Sequence, residues 1–175
     1  DDDSSGSTTY TRIVWLAHSG NSNVKSYLFW GSPANTGNHV ITVAGGSGYL
    51  TIVPAEFTGA DVSAPVNATS TVSTDGAGGT VTCAALAASA GEIVAAQATT
   101  NWTTTYTQSG SWSIAGNYSG GTNEDGVLLY QIVPSATNYT PIVTVNTASG
   151  SAAPCVAASL KVAAGAPGAA RPRRV

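Results

Sequence analysis

Hydrolytic chemistry needs two carboxylates at a working distance, or a nucleophile beside a base. The chain carries nine acids, at Asp1, Asp2, Asp3, Glu56, Asp61, Asp75, Glu92, Glu124 and Asp125. Glu56 and Asp61 flank one glycine corner, Ala55-Glu56-Phe57-Thr58-Gly59-Ala60-Asp61. Acids in such turns accept hydrogen bonds from nearby backbone amides. Both are therefore read as corner-stabilising acids, not as a catalytic pair. His18 and His39 stand in or beside turns, with no Ser or Asp in a triad pattern, and no G-x-S-x-G motif occurs. The expectation is a chain without catalytic residues, not an enzyme.

Metal chemistry is equally sparse. The two cysteines and two distant histidines lack zinc-ligand spacing. Asn123-Glu124-Asp125-Gly126 and Asp1 to Asp3 are oxygen-rich and hold donors that Ca2+ accepts, but neither has EF-hand spacing. Both are read as solvated loops, and no cofactor is expected. Cys83 and Cys155 each lie in an apolar alternating run. They are either two buried thiols or a disulfide closing a loop of about 70 residues, which would restrain the unfolded chain by about 4 kcal/mol. The extracellular character of the remaining sequence favours the bond.

Trp102, Tyr106, Trp112 and Tyr118 fall within one Thr/Ser/Asn/Gly region. Aromatic faces among amides suit sugar rings, through CH contacts and hydrogen bonds. The same residues also suit the end of a sandwich or a contact with a neighbouring subunit. Asn67, Asn101, Asn117 and Asn138 each begin an N-x-Ser/Thr sequon, which matters only where the source glycosylates.

Composition narrows the partners. Only 9% of residues are charged, against about 25% in an average soluble protein. A neutral surface rich in hydroxyls weakens repulsion between copies and favours self-assembly. Six Lys and Arg, three of them at Arg171, Arg173 and Arg174, cannot line a phosphate-tracking groove, so nucleic acid is not expected. No stretch approaches the roughly 20 apolar residues of a membrane helix, so membrane insertion is not expected. No signal peptide is visible, and with no Met in the chain Asp1 reads as a processed terminus or a fragment start.

The elements that would position these residues read as strands. Tyr10 to Ala17 alternates, with Ile13, Trp15 and Ala17 opposite Tyr10, Arg12, Val14 and Leu16. Val24 to Trp30 puts Val24, Leu28 and Trp30 opposite Lys25, Tyr27 and Phe29. His39 to Ala44 is a short strand. Tyr49 to Phe57 reads as a long strand around which the rest is organised, slipping phase at Pro54. Gly59 to Gly79 and Ile114 to Gly126 read as loops. Thr80 to Ala88, Glu92 to Thr99, Val127 to Val133 and Tyr139 to Thr147 follow as strands, and Val127 to Val133 is apolar enough to be covered on both faces. In the last strand Val156, Ala158, Leu160 and Val162 point inward, with Cys155, Ala157, Ser159 and Lys161 outward. Residues 1–162 form one all-β domain, a single antiparallel β-sandwich of about nine or ten strands. Residues 163–175 form a flexible Ala/Gly/Pro/Arg tail.

Four stretches carry a resemblance. They are Asp3-Ser4-Ser5-Gly6-Ser7-Thr8-Thr9-Tyr10; Leu28-Phe29-Trp30-Gly31 with Gly37-Asn38-His39-Val40-Ile41-Thr42-Val43; Ala55 to Asp61 with Pro65-Val66-Asn67-Ala68-Thr69; and Tyr130-Gln131-Ile132-Val133 through the closing strand. Together they resemble a family of bacterial secreted and phage-associated jelly-roll-like β-sandwich domains. Ser7 stands where that family usually has Asn, and the strand that normally precedes its first turn is absent here. The resemblance implies a jelly-roll-like fold, and an open sheet edge that a neighbour's segment fills. The function expected is a structural subunit of an extracellular assembly. That means a virion surface protein (capsid decoration or tail fibre) or a filament subunit, with copies of itself or other subunits as partners. The alternative is a carbohydrate-binding module of a secreted protein.

Overall fold

The computed structural model describes residues 8–32, 41, 50–75, 79–101, 103–119, 124–147, 152–164 and 172–173. These contain no helix and fourteen strand segments. In chain order they are β1 (Thr11–Ala17), β2 (Lys25–Trp30), β3 (Glu56–Phe57), β4 (Val66–Asp75), β5 (Thr80–Thr82), β6 (Leu86–Ala88) and β7 (Ile93–Asn101). Then come β8 (Thr103–Gln108), β9 (Ser113–Tyr118), β10 (Glu124–Ile132), β11 (Thr137–Tyr139), β12 (Ile142–Thr147), β13 (Ala152–Leu160) and β14 (Pro172–Arg173). Every pairing is antiparallel.

A five-stranded sheet in the order β4-β13-β7-β10-β9 forms the middle. Its inner strands are apolar on both sides, so period-two alternation separates two cores rather than core from water. Val94, Ala96, Ala98, Val127, Leu129, Ala153, Cys155 and Ala157 face one way. They pack against Val81, Cys83, Leu86, Ala88, Val143 and Val145 of the β5-β12-β8 and β6-β11 layer. Ile93, Leu128, Val156, Ala158 and Leu160 face the other way. They meet Leu28, Val14, Leu16 and Trp30 of the β1–β2 hairpin, and Val53, Ala55 and Phe57. Burying each such Val, Leu or Ile contributes about 1.5–3 kcal/mol. The many alanines let both outer layers approach closely.

Polar pins hold the layers in place. Ser26, buried on β2, donates to the Pro154 carbonyl at 2.6 Å and is hydrogen-bonded to Thr99 Oγ1 at 2.9 Å. Ser159 donates to the Ala87 carbonyl at 2.9 Å, and its oxygen accepts from the Ala68 amide at 3.0 Å beside a bulge at Asn67 of β4. Cys83 and Cys155 form a disulfide between the outer layer and β13, with Cα atoms 5.3 Å apart.

Several expectations are corrected. Within Tyr49 to Phe57 the only strand among the described residues is Glu56–Phe57. The stretch before it is in no ladder and packs on the sheet through Val53 and Ala55, with Leu50 and Ile52 exposed. Pro54 has no amide to donate to a ladder. The supposed loop from Gly59 to Gly79 contains β4, ten residues paired with β13. Its Ser and Thr suit an edge strand but hide its strand character from hydropathy. The supposed loop from Ile114 to Gly126 contains most of β9 and the start of β10. The last strand is buried on both faces, because a packed layer covers each side of the sheet at β13, so Cys155, Ala157 and Ser159 point into the protein. Runs read as one strand split at Cys83–Ala85 and Thr140–Pro141, which raises the count above nine or ten. The tail returns: Pro172 and Arg173 pair with Phe57 and Glu56. Most of the His39 to Ala44 strand lies outside the described residues.

Candidate functional site

Among the described aromatic residues of the Asn101 to Tyr118 region, Trp112 and Tyr118 do not share a surface. Trp112 is buried at 5% exposure in the core beneath the β8–β9 turn. Its amide donates to the Ser109 carbonyl at 3.3 Å, and Gly110 supplies the turn's left-handed residue at φ 60. Tyr106, half-buried on β8, packs on the same core, with its hydroxyl 2.6 Å from Thr100 Oγ1. Tyr118 ends β9 with its ring exposed. Trp102 lies outside the described residues. A sugar platform shared by Trp112 and Tyr118 is therefore not built here.

The acids are dispersed as well. Asp61 Oδ1 accepts from Ser63 Oγ at 2.6 Å, the Ser63 amide at 2.9 Å and the Ala64 amide at 3.3 Å. The Ser63 hydroxyl first, and then the two amides, hold its carboxyl below the ordinary aspartate range. The backbone of the same corner pairs with residues 161–163, through Asp61 to the Lys161 carbonyl and Ala163 to the Gly59 carbonyl, both at 2.9 Å. Glu56 is exposed in β3, opposite Arg173. Glu92, buried, accepts from the Ser89 amide at 2.9 Å and from Asn67 Nδ2 at 3.0 Å, which closes the β6–β7 turn. Asp125 and Gly126 are strand residues, not loop; Asp125 is fully buried on the inner face of β10, opposite Thr100. Asn123 and Asp1 to Asp3 lie outside the described residues. Among the described residues, no three His, Cys, Asp or Glu side chains gather as a metal site.

The concentration of exposed aromatic surface lies elsewhere, on the outside of the β1–β2 hairpin. The strands pair Trp15 with Tyr27, Arg12 with Phe29 and Ala17 with Lys25. A register shift between Arg12 and Val14 inserts Ile13 as an extra residue. Ile13 and Val14 both pack toward the core, and the phase of β1 changes there. Simple alternation would put Arg12 with Val14. The bulge instead puts Arg12 on the outer face, its guanidinium carbon 5.6 Å from the centre of the Trp15 ring. Trp15 and Tyr27 stack at 6.0 Å and 14°, and Tyr27 and Phe29 at 6.0 Å and 23°. Trp15 is 46% and Phe29 54% exposed. The available sequence signal was Lys25, Tyr27 and Phe29 sharing one face of a strand. The alternation read correctly, but not which face was wet.

Among the described residues, no helix is long and apolar enough to cross a membrane. The buried disulfide fits an oxidising, extracellular-type environment. Comparison with family models, curated proteins and solved structures finds no match for this chain.

Proposed function

We propose that this chain is a non-catalytic structural subunit of an extracellular assembly, with a virion surface protein (capsid decoration or tail fibre) first and a filament subunit second. The observation that carries the reading is a disulfide-tied body with few charges that leaves Trp15, Phe29, Leu50, Ile52, Val62 and Tyr118 exposed. Monomers that work alone in solution rarely expose so many large apolar groups with so little charge to keep them apart. The partners in this reading are further copies of the chain or other subunits, and the finer architecture that goes with it is a jelly-roll-like sandwich. Sedimentation over a concentration series, with electron microscopy of the concentrated sample, tests it. Association into regular particles or filaments is expected. A stable monomer at high concentration with both termini open to protease rejects the assembly reading.

A second reading, a carbohydrate-binding module, is favoured by the exposed rings of Trp15 and Phe29, near-parallel to the half-buried Tyr27 between them. A glycan array with Trp15→Ala beside Trp112→Ala separates the two. Sugar binding lost in the first variant supports the module, and no binding to any glycan supports assembly alone.

A further inference from the structure

The hairpin that carries the ring strip is polarised in charge. Residues 8–32 contain Arg12 and Lys25 and no acid. The whole chain has six Lys and Arg against nine Asp and Glu, which leaves four cations against nine acids for all other residues. Both hairpin cations stand on the outer face. Lys25, exposed, shares the β2 face of Tyr27 and Phe29. Arg12 reaches that face only because of the bulge at Ile13. The underside is equally well defined. Val14, Leu16, Leu28 and Trp30 pack on the central sheet, and the Ser26 hydrogen bonds lock the hairpin to β7 and β13. The rings and cations therefore sit on a fixed support, which lowers the ordering cost of binding.

We infer that the outer face of the β1–β2 hairpin binds an anionic polysaccharide. Trp15 and Phe29, exposed on either side of Tyr27, contact sugar rings, while Arg12 and Lys25 pair with carboxylates along the chain. The inference rests on the binding-module reading above and names its ligand class. Near-parallel aromatic rings give sugar CH faces a continuous apolar contact. The guanidinium fork matches a carboxylate bidentately, and its stacking on Trp15 holds it in place. A second copy of the same face fits poorly. A two-fold contact would set Arg12 and Lys25 against themselves, with no acid on either hairpin. Nucleic acid shares the stacking and cation chemistry, but two cations supply little of the phosphate neutralisation on which that binding depends.

The test is calorimetric titration of the full chain with oligogalacturonate, with a neutral cello-oligosaccharide of equal length, and with oligothymidylate. Oligogalacturonate is expected to bind at least about tenfold more tightly than the neutral sugar, and the difference should shrink as salt screens it. Trp15→Ala and Phe29→Ala, on separate strands, should each weaken binding about tenfold. Arg12→Gln should lower the preference for oligogalacturonate over the neutral sugar about tenfold, and Arg12→Gln with Lys25→Gln should abolish it. Tyr118→Ala, exposed on another sheet edge, should change nothing. Circular dichroism verifies that each variant folds, and either aromatic variant suffices if the other does not. Equal affinity for acidic and neutral sugars overturns the ligand class but leaves the module reading standing. No binding to either sugar overturns both. Tighter binding of oligothymidylate, indifference to both aromatic substitutions, or a concentration-dependent dimer abolished by Trp15→Ala also overturns the inference.

Discussion

The two faces of the central sheet are covered differently. On one side lies a closed aliphatic core, cross-linked by Cys83–Cys155, with Trp112 sealed inside it. On the other, the β1–β2 hairpin and the stretch from Thr51 to Phe57 are held by packing and a few hydrogen bonds. That second cover has aromatic residues on its outside as well as its underside. The lesson is a division of labour within a single sheet. The covalently tied side supplies stability, and the packed side presents a surface.

The largest test of that division is the disulfide. Cys83→Ala with Cys155→Ala releases a loop with a sequence separation of 72. Chain entropy then predicts a loss of about 4 kcal/mol in urea denaturation. A loss near zero would remove the distinction between the faces. Next come matched truncations of buried leucines. Leu129→Ala in the closed core should cost about 3 kcal/mol, and Leu28→Ala under the hairpin about 2 kcal/mol. Only the second should open the hairpin to protease while the rest stays folded. Gly116→Ala probes how tightly the Thr51–Phe57 cover is seated. An added Cβ would lie 2.8 Å from Val53 Cγ1, and relieving that overlap should cost about 1–2 kcal/mol. No change would show that the cover is loosely held.

The smallest effect belongs to Asp61. Its carboxyl is held below the ordinary 3.8 by the Ser63 hydroxyl and the Ser63 and Ala64 amides. A lowered folded value means the stabilisation is complete above the unfolded value, and fades as pH falls through the folded one. Wild type should therefore melt slightly above Asp61→Ala at neutral pH, with the gap closing only in acid below about pH 4. A gap that persists in acid would assign the role to packing instead of charge.

The all-β class was legible from alternation and turn residues, and the double coverage of β10 from the unbroken Val127 to Val133 run. β4 was not legible. Its Asn, Ser and Thr side chains satisfy the geometry of a strand without the hydropathy of one, and only pairing with β13 fixes it. The reverse error fell on Tyr49 to Phe57. Leu50 and Ile52 have strand-like types, but Leu50 and Ile52 face solvent. Asp61 was legible as a turn acceptor because its partners are local in sequence. The hairpin face was not, since one bulged residue decides which side Arg12 joins. Trp112 and Tyr118 showed why closeness in sequence is a poor guide to a site. The single strand β9 carries the chain from the buried Trp112 to the exposed Tyr118.

The position of β13 also bears on how the molecule is made. Its residues are among the last described in the chain, yet they form the strand between β4 and β7. On a ribosome, β4 and β7 emerge with the partner strand between them still unsynthesised, and each exposes an unpaired backbone row until Cys155 and its neighbours arrive. Completion of the sheet, and the bond from Cys83, must therefore wait until β13 has been synthesised. Folding governed by such distant pairings is slow. A chain interrupted after β12 would lack the strand that joins the two halves of the sheet, and would be released as an aggregation-prone fragment.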